Sequence, residues 1–315
     1  RPRDMESKWV SLCGKVKEFV VAWDLFLIHF TYIIFMSVVG GLILWNLEDI
    51  WFLDSFFVMT SAMCVTGLTT VNIAAFNISS QILLLIWVHL GGMVVLSLVP
   101  SIIRLLYHSV STSEIIVDEG QISPQTARIL KLLITTILIY IFTFELCAFI
   151  ILALYIDNNQ GANTVMKQND VHSAWWWSIF HTITAFQNAG FSLFSSNLIP
   201  YNNDVLISLL LGFLTLAGNI LYPIFLRVLF VFIRKWTCDP VMRGDVDELL
   251  SNPRSYYYLL FPFDNTMALF YYWLVMTLIE WMVFFVEWDN VSVYGSWYPS
   301  STKIMINFIQ PIFVR

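Results

Sequence analysis

Long apolar stretches are the feature of this sequence that most limits its fold. Five of them run over 24–46, 80–107, 128–156, 204–233 and 265–288. The core of a bilayer offers the backbone no water, so a chain crosses it as an α-helix of about 20 apolar residues. We therefore predict an all-α polytopic membrane protein with five spanning segments.

Two further apolar runs are too short or too interrupted to cross a bilayer. They cover 51–63 and 173–186, and each is followed within a few residues by a glycine, Gly67 in the first case and Gly190 in the second. A short apolar run between polar flanks is typical of a half-length segment that enters the membrane and returns. We predict a re-entrant helix and a glycine-bearing loop at each place.

Charge excludes several classes of protein. Only 12% of the residues are charged and 58% are hydrophobic, whereas about a quarter are charged in a soluble domain. The net charge of −6 argues against a general nucleic-acid-binding surface. Lys and Arg concentrate on alternate connections, which predicts a cytoplasmic N-terminus and re-entrant segments that enter from outside.

Motifs for enzymatic or metal chemistry are not found. The four cysteines show no C-x-x-C pairing, so we expect free thiols, and the histidines lack H-E-x-x-H spacing. The sequence also contains no G-x-S-x-G motif. We therefore predict that the protein is not an enzyme, and that it carries no cofactor and no bound metal.

An internal repeat gives the chain its organisation. An offset of 123 residues pairs Gly67 with Gly190, Phe57 with Phe180, and Pro100 and Arg104 with Pro223 and Arg227. The repeated unit is a span, a re-entrant helix with its loop, and a second span. Two units are complete and a third has begun. The run 304–314, with Phe308, resembles the start of the third re-entrant helix. The predicted segments are 1–23 cytoplasmic, 24–107 first repeat, 108–127 cytoplasmic loop, 128–235 second repeat, 236–262 cytoplasmic loop, and 263–315 the start of the third repeat. We expect the chain to be a fragment.

The repeated loops have the properties of a cation pathway. The C-terminal end of a short helix carries partial negative charge, and backbone carbonyls that follow it can replace the hydration shell of an ion. The candidate filter residues are Val65, Thr66, Gly67 and Leu68 in the first loop, and Gln187, Asn188, Ala189, Gly190 and Phe191 in the second. The alternative is that the two glycines serve helix packing alone.

Several motifs in order resemble one family, the Trk/Ktr/HKT superfamily of K⁺ and Na⁺ transporters, and its plant-type HKT branch most closely. They are Val65-Thr66-Gly67-Leu68-Thr69-Thr70-Val71, Thr184-Ala185-Phe186-Gln187-Asn188-Ala189-Gly190-Phe191, Gly218-Asn219-Ile220-Leu221-Tyr222-Pro223 with Leu226-Arg227, Asn252-Pro253-Arg254, and Glu287-Trp288. The resemblance implies four such units around one pore, assembly as a homodimer and a place in the plasma membrane. Acidic residues that often follow the first filter in the plant branch are replaced here by Asn72-Ile73-Ala74-Ala75.

The resemblance also implies an ion. In the plant branch a serine at the position of Gly67 goes with Na⁺ selectivity and a glycine with K⁺ permeation, so K⁺ transport is expected, with Na⁺ also admitted. Serine at Gly67 is expected to lower K⁺ flux and spare Na⁺ flux. Serine at Gly190 is expected to harm both, because Gln187 and Asn188 place bulk near that loop. A Na⁺-selective transporter of the same family and a non-conducting accessory subunit are the alternatives.

Some ionisable and aromatic residues have two readings each. Arg104 and Arg227 either act as pore-side basic residues or extend to the cytoplasmic headgroups. Glu145 and Glu280 lie within spans, where a carboxyl group either faces the ion path or hydrogen-bonds to a neighbouring helix. The run 175–177, three consecutive tryptophans, is predicted to form an interfacial aromatic belt.

Overall fold

The computed structural model describes Leu27, residues 29–113 and 123–169, Val171, residues 173–287, and Ile312. Predictions for 1–23, for 114–122 and for 304–314 with Phe308, apart from Ile312, concern residues outside this part. The described residues form helices and no strand. They are α1 (His29–Leu47), α2 (Phe52–Met63), α3 (Ile78–Gly91), α4 (Met93–Ser113), α5 (Pro124–Asn158), α6 (Gln160–Gln168), α7 (Ala174–Phe186), α8 (Val205–Gly218), α9 (Tyr222–Trp236), α10 (Pro240–Ser251), α11 (Pro253–Tyr256) and α12 (Phe263–Glu287), with 3₁₀ turns at Ile73–Ala75 and Ile199–Tyr201.

Three helices, α1, α5 and α12, are long and apolar enough to cross a membrane on their own. Two further candidates are bent pairs, in which α3 and α4 meet at 57° and α8 and α9 at 79°. Counting each pair as one span gives up to five spans among the described residues, at the places where the sequence predicts them. Many apolar side chains on these helices face outward, including Phe142 at 66% exposure, as expected where lipid is the solvent.

The two bends are not evident from hydropathy. The first falls at Gly92, whose extended backbone separates α3 from α4, and the second falls at residues 219–221, just before α9. Pro223 lies in the first turn of α9, where its missing N–H breaks no helical bond. The predicted spans 80–107 and 204–233 are therefore each divided into two helices.

Side-chain caps set where the principal helices start. Ser123 accepts a hydrogen bond from the backbone N–H of Thr126 at the start of α5, and Ser173 accepts one from Trp176 at the start of α7. Asp204 does the same for Ile207 in α8. Such caps satisfy N–H groups that have no partner within the helix.

The half-length helix α7 lies inside the bundle, whereas α2 packs against α3 and leaves Leu53 and Phe57 exposed. α7 packs against α5, α8 and α3, and its side chains Trp177, Phe180 and Phe186 are fully buried. Tyr140 and Phe144 of α5 pack their rings on Phe186. The end of α7 is thus fixed by aromatic packing, which determines where the following loop begins.

Candidate functional site

The segments that follow α2 and α7 share one backbone conformation. We call residues 64–71 the first loop and 187–194 the second loop. Positive φ angles occur at Val65 (52°) and Gly67 (70°) in the first loop, and at Asn188 (58°) and Gly190 (71°) in the second. Val65 and Asn188 are 123 residues apart, and so are Gly67 and Gly190. A left-handed backbone is unfavourable for a β-branched residue such as Val65, so the surrounding structure must impose it.

Hydrogen bonds at the two helix ends match as well. The N–H of Thr66 donates to the carbonyl of Ser61 at 2.9 Å, and that of Ala189 donates to Thr184 at 2.8 Å. One residue earlier, Val65 and Asn188 donate to the carbonyls of Ala62 and Ala185. This is the pattern of a helix that ends in a left-handed residue, and it starts both loops in the same direction.

The two loops meet at their glycines. A β-carbon placed on Gly67 would overlap the carbonyl oxygen of Ala189. A β-carbon on Gly190 would instead lie 3.9 Å from the Cα of Gly67, with nothing closer. The expectation that Gln187 and Asn188 leave no space at Gly190 is wrong, because neither residue comes within 4 Å of that position.

A polar cavity of about 320 Å³ lies against both loops. Its lining includes Gly67, Thr69 and Thr70 from the first loop and Gly190 and Ser192 from the second. The side chains of Gln187 and Ala189 are buried in the protein, at 4% and 0% exposure. Neither residue lines the cavity, which the second loop faces from Gly190 onward.

The polar contacts inside the two loops differ. At the start of the first loop the hydroxyl of Thr66 lies 2.9 Å from that of Ser61 in the last turn of α2. The corresponding pair in the second loop is Thr184 and Ala189, so the second hydroxyl is missing, and the Thr184 hydroxyl donates to Phe180 instead. The first loop is closed by its own side chains at this turn, whereas the second is not.

A three-residue network contacts the start of the second loop. Gln187 Nε2 donates to Glu145 Oε1 at 3.3 Å, and Glu145 Oε2 lies 3.1 Å from His89 Nε2. Of the two readings of Glu145, the structure gives the one with hydrogen bonds to neighbouring helices. Its partners could not be identified from sequence spacing, since they lie 56 and 42 residues away.

Arg104 and Arg227 bind the two ends of one segment, residues 255–262, which begins in α11 and continues through a turn. Arg104 Nη1 donates to the carbonyl of Ser255 at 2.8 Å, and Arg227 Nη1 donates to that of Phe261 at 2.6 Å. Between these points Tyr257 is buried and its hydroxyl is hydrogen-bonded to those of Ser97 and Tyr222. A pore-side role for the two arginines stays a prediction; in the structure they hold a segment between α4 and α9.

The three tryptophans do not form one belt. Trp175 is exposed, but Trp177 is fully buried and stacks on His181 with a ring separation of 3.9 Å. Trp176 Nε1 donates to Gln81 Oε1 at 2.5 Å. The predicted belt is therefore wrong for Trp177, which is a core residue, while Trp176 joins α7 to α3.

The chain belongs to the TrkH family of cation transport proteins, whose family model it matches over residues 15–315. It is 40% identical over 153 residues to a protein of Dictyostelium discoideum, covering 49% of this chain and 23% of that one. It is 27% identical over 194 residues to potassium transport protein 1 of Schizosaccharomyces pombe, covering 60% and 22%.

Similarity extends to bacteria. The chain is 26% identical over 202 residues to the Ktr system potassium uptake protein B of Bacillus subtilis, covering 62% of this chain and 43% of that protein. The chain thus spans less than a quarter of the length of the first two relatives and less than half of the third. The relatives named as potassium transport or uptake proteins include both yeast and bacterial members of this family.

Proposed function

We propose that the complete protein transports K⁺, and also Na⁺, across a membrane through a filter of backbone carbonyls. The filter residues are Val65, Thr66, Gly67 and Leu68 of the first loop together with Gln187, Asn188, Ala189, Gly190 and Phe191 of the second. The observation that carries this proposal is the shared left-handed backbone at the paired positions, with the two loops in contact. Repetition of an unfavourable conformation is expected where it serves a function.

The mechanism follows from what the loops can offer a cation. α2 and α7 end where their loops begin, so their partial negative C-terminal charge favours a cation there. Gly67 of the first loop and Gly190 and Phe191 of the second line the cavity, where their carbonyl oxygens would replace water around the ion. K⁺ is larger than Na⁺ and loses its hydration water at lower cost, so an even ring of carbonyls favours K⁺ over Na⁺.

The proposal includes a repeated architecture. α1, α2 and the pair α3–α4 form one unit of span, pore helix and span; α5, α7 and the pair α8–α9 form the second; α12 begins a third. In support, α2 and α7 end 123 residues apart, and each is followed by a 14-residue helix, α3 or α8. Four such units, as the family resemblance implies, would surround one ion.

We further propose a place in the plasma membrane, a cytoplasmic N-terminus and assembly as a homodimer. The distribution of basic residues supports the orientation, and the relatives, which are transporters, support the absence of enzymatic activity. The plant-type branch stays a prediction, since the relatives named above come from a slime mould, a fission yeast and a bacterium.

The test is tracer uptake by the full-length gene product in a yeast strain that lacks its own potassium uptake. We expect uptake of rubidium, used as a tracer for K⁺, well above that of the empty vector, together with measurable sodium uptake. Sodium uptake without rubidium uptake would favour the Na⁺-selective alternative. Uptake of neither ion, with the protein present at the cell surface, would contradict transport.

A further inference from the structure

The second loop lacks the internal hydroxyl contact of the first, yet it begins with the same backbone conformation. Something else must therefore hold its first turn. The residue there is Gln187, which is 4% exposed and follows α7 directly. Its counterpart in the first loop is Cys64, which is exposed and has no amide group to bind a neighbouring helix.

The Gln187 side chain lies in the bend between α3 and α4. A β-carbon on Gly92, the residue between those helices, would overlap Gln187 Oε1. The missing side chain at Gly92 thus makes room for the amide of a residue from the other repeat. This explains the position of the bend, and it brings the start of the second loop against α3.

Glu145 holds the other side of that amide. Its two carboxylate oxygens are divided between Gln187 Nε2 and His89 Nε2, so a single side chain on α5 joins the loop to α3. His89 Nδ1 in turn lies 3.2 Å from the carbonyl of Leu85 within its own helix. A charged acceptor forms stronger hydrogen bonds than a neutral one, and more so where water is scarce.

We propose that Glu145 is a positioning residue for the second filter loop, and that it sets ion selectivity by fixing Gln187. This rests on the proposed transport function. Glu145 does not line the cavity; it holds the side chain of Gln187, and through it the start of the loop that brings Gly190 and Phe191 to the cavity. Further along the loop, His181 Nε2 contacts the Ser192 hydroxyl at 3.0 Å, so the proposal concerns the first turn alone.

The test compares variants of the full-length protein by the ratio of rubidium to sodium uptake, at matched surface abundance. Glu145→Ala should lower this ratio about tenfold, the effect expected for loss of a hydrogen bond to a charged group. Glu145→Gln keeps an acceptor for Gln187 Nε2, so it should lower the ratio less. Asp157→Asn, which removes an exposed carboxylate from the same helix, should leave the ratio unchanged.

The double variant separates positioning from general damage. If Glu145 acts through Gln187, then Gln187→Ala should lower the ratio as much as Glu145→Ala does, and the two changes together should lower it no further. A merely structural role would reduce the uptake of both ions in proportion and leave the ratio constant. Should Glu145→Ala fail to reach the surface, Glu145→Gln and Gln187→Ala carry the comparison.

Two results have different meanings. An unchanged rubidium-to-sodium uptake ratio in the Glu145 variants would overturn the positioning role while transport itself stands. The same conclusion would follow if the double variant lowered the ratio by the product of the two single effects. Absence of rubidium and sodium uptake by the unmodified protein would overturn the transport function instead.

Discussion

Gly67 and Ala189 are in contact through their backbones, and the contact leaves no space for a side chain on residue 67. It joins two loops that lie more than a hundred residues apart in sequence. Gly190 has nearly the same left-handed φ, but a β-carbon there would make only an ordinary contact, 3.9 Å from the Cα of Gly67. The two glycines therefore allow the effect of crowding to be separated from that of backbone strain.

The first prediction uses that difference. Gly67→Ser should lower rubidium uptake and largely spare sodium uptake, because the new side chain would displace Ala189 and with it the adjoining Gly190 and Phe191, which line the cavity. In the proposed filter K⁺ depends most on an even ring of oxygens. Gly190→Ser adds only the strain of a non-glycine residue at positive φ, about 1 kcal/mol. It should have a smaller effect on the rubidium-to-sodium uptake ratio. Equal ratios in the two variants would show that the contact does not matter for selectivity.

The second prediction concerns the glycines at the ends of α3 and α8. A β-carbon on Gly91 would overlap the carbonyl of Met63, and one on Gly218 would overlap that of Phe186. Alanine at either place should lower the stability of the protein by about 1–3 kcal/mol, since a packed backbone must move. The measurement is the midpoint of thermal unfolding in detergent.

Gly212, on the same helix as Gly218, is the matched control. A β-carbon there would lie 3.7 Å from Ile312 Cγ2, an ordinary contact, so Gly212→Ala should leave the midpoint nearly unchanged or raise it. A loss for Gly212→Ala as large as that for Gly218→Ala would argue against the close approach as the cause.

A third prediction concerns the Tyr257 hydroxyl, which is buried between Ser97 and Tyr222. Tyr257→Phe removes the bonds to both and leaves their hydroxyls with fewer partners, so it should lower stability by about 1–2 kcal/mol. Tyr258→Phe, a change at the exposed neighbour, serves as the control and should cost less. The readout is again the thermal midpoint.

Tyr257 is also expected to make the stability of the protein depend on pH. Burial disfavours the phenolate and raises the pKa of Tyr257 to about 12, against about 10 in the unfolded chain. Below pH 10 its contribution to stability is complete; it is lost as the pH rises from about 10 to about 12, because only the unfolded chain then ionises. The difference in midpoint between the unmodified protein and Tyr257→Phe should narrow over this range, and a constant difference would contradict the assignment.

The fourth prediction concerns the segment held by the two arginines. Arg227→Ala should make residues 257–261 more open to hydrogen exchange than Arg104→Ala does, because Arg227 is half-buried and Arg104 is exposed. An exposed charged contact adds little to local stability. Faster hydrogen exchange of residues 257–261 in the Arg104 variant than in the Arg227 variant would contradict the larger contribution of Arg227.

The sequence predicted the positions of the half-length helices and loops closely. α2 and α7 end at Met63 and Phe186, as the apolar runs indicate, and Gly67 and Gly190 have equivalent backbone angles. These features are local, because a helix end and the glycine after it are encoded within a few residues. Such patterns survive in a single sequence.

The constant offset of 123 does not extend past the loops. Helices α3 and α8 correspond at both ends with an offset of 127, because the connection from Gly190 to Val205 is four residues longer than that from Gly67 to Ile78. Pro100 then lies in the middle of α4, whereas Pro223 lies in the first turn of α9. The equal spacing from glycine to arginine therefore crosses different structures, which only the coordinates reveal.

The hydroxyl contact between Ser61 and Thr66 has a consequence for motion. A loop that is closed by its own residues moves as one piece with the helix before it. A loop whose first turn depends on α3 and α5 is displaced whenever those helices slide against each other. In the proposed filter an ion would therefore contact a first loop held by its own helix and a second loop whose position depends on α3 and α5.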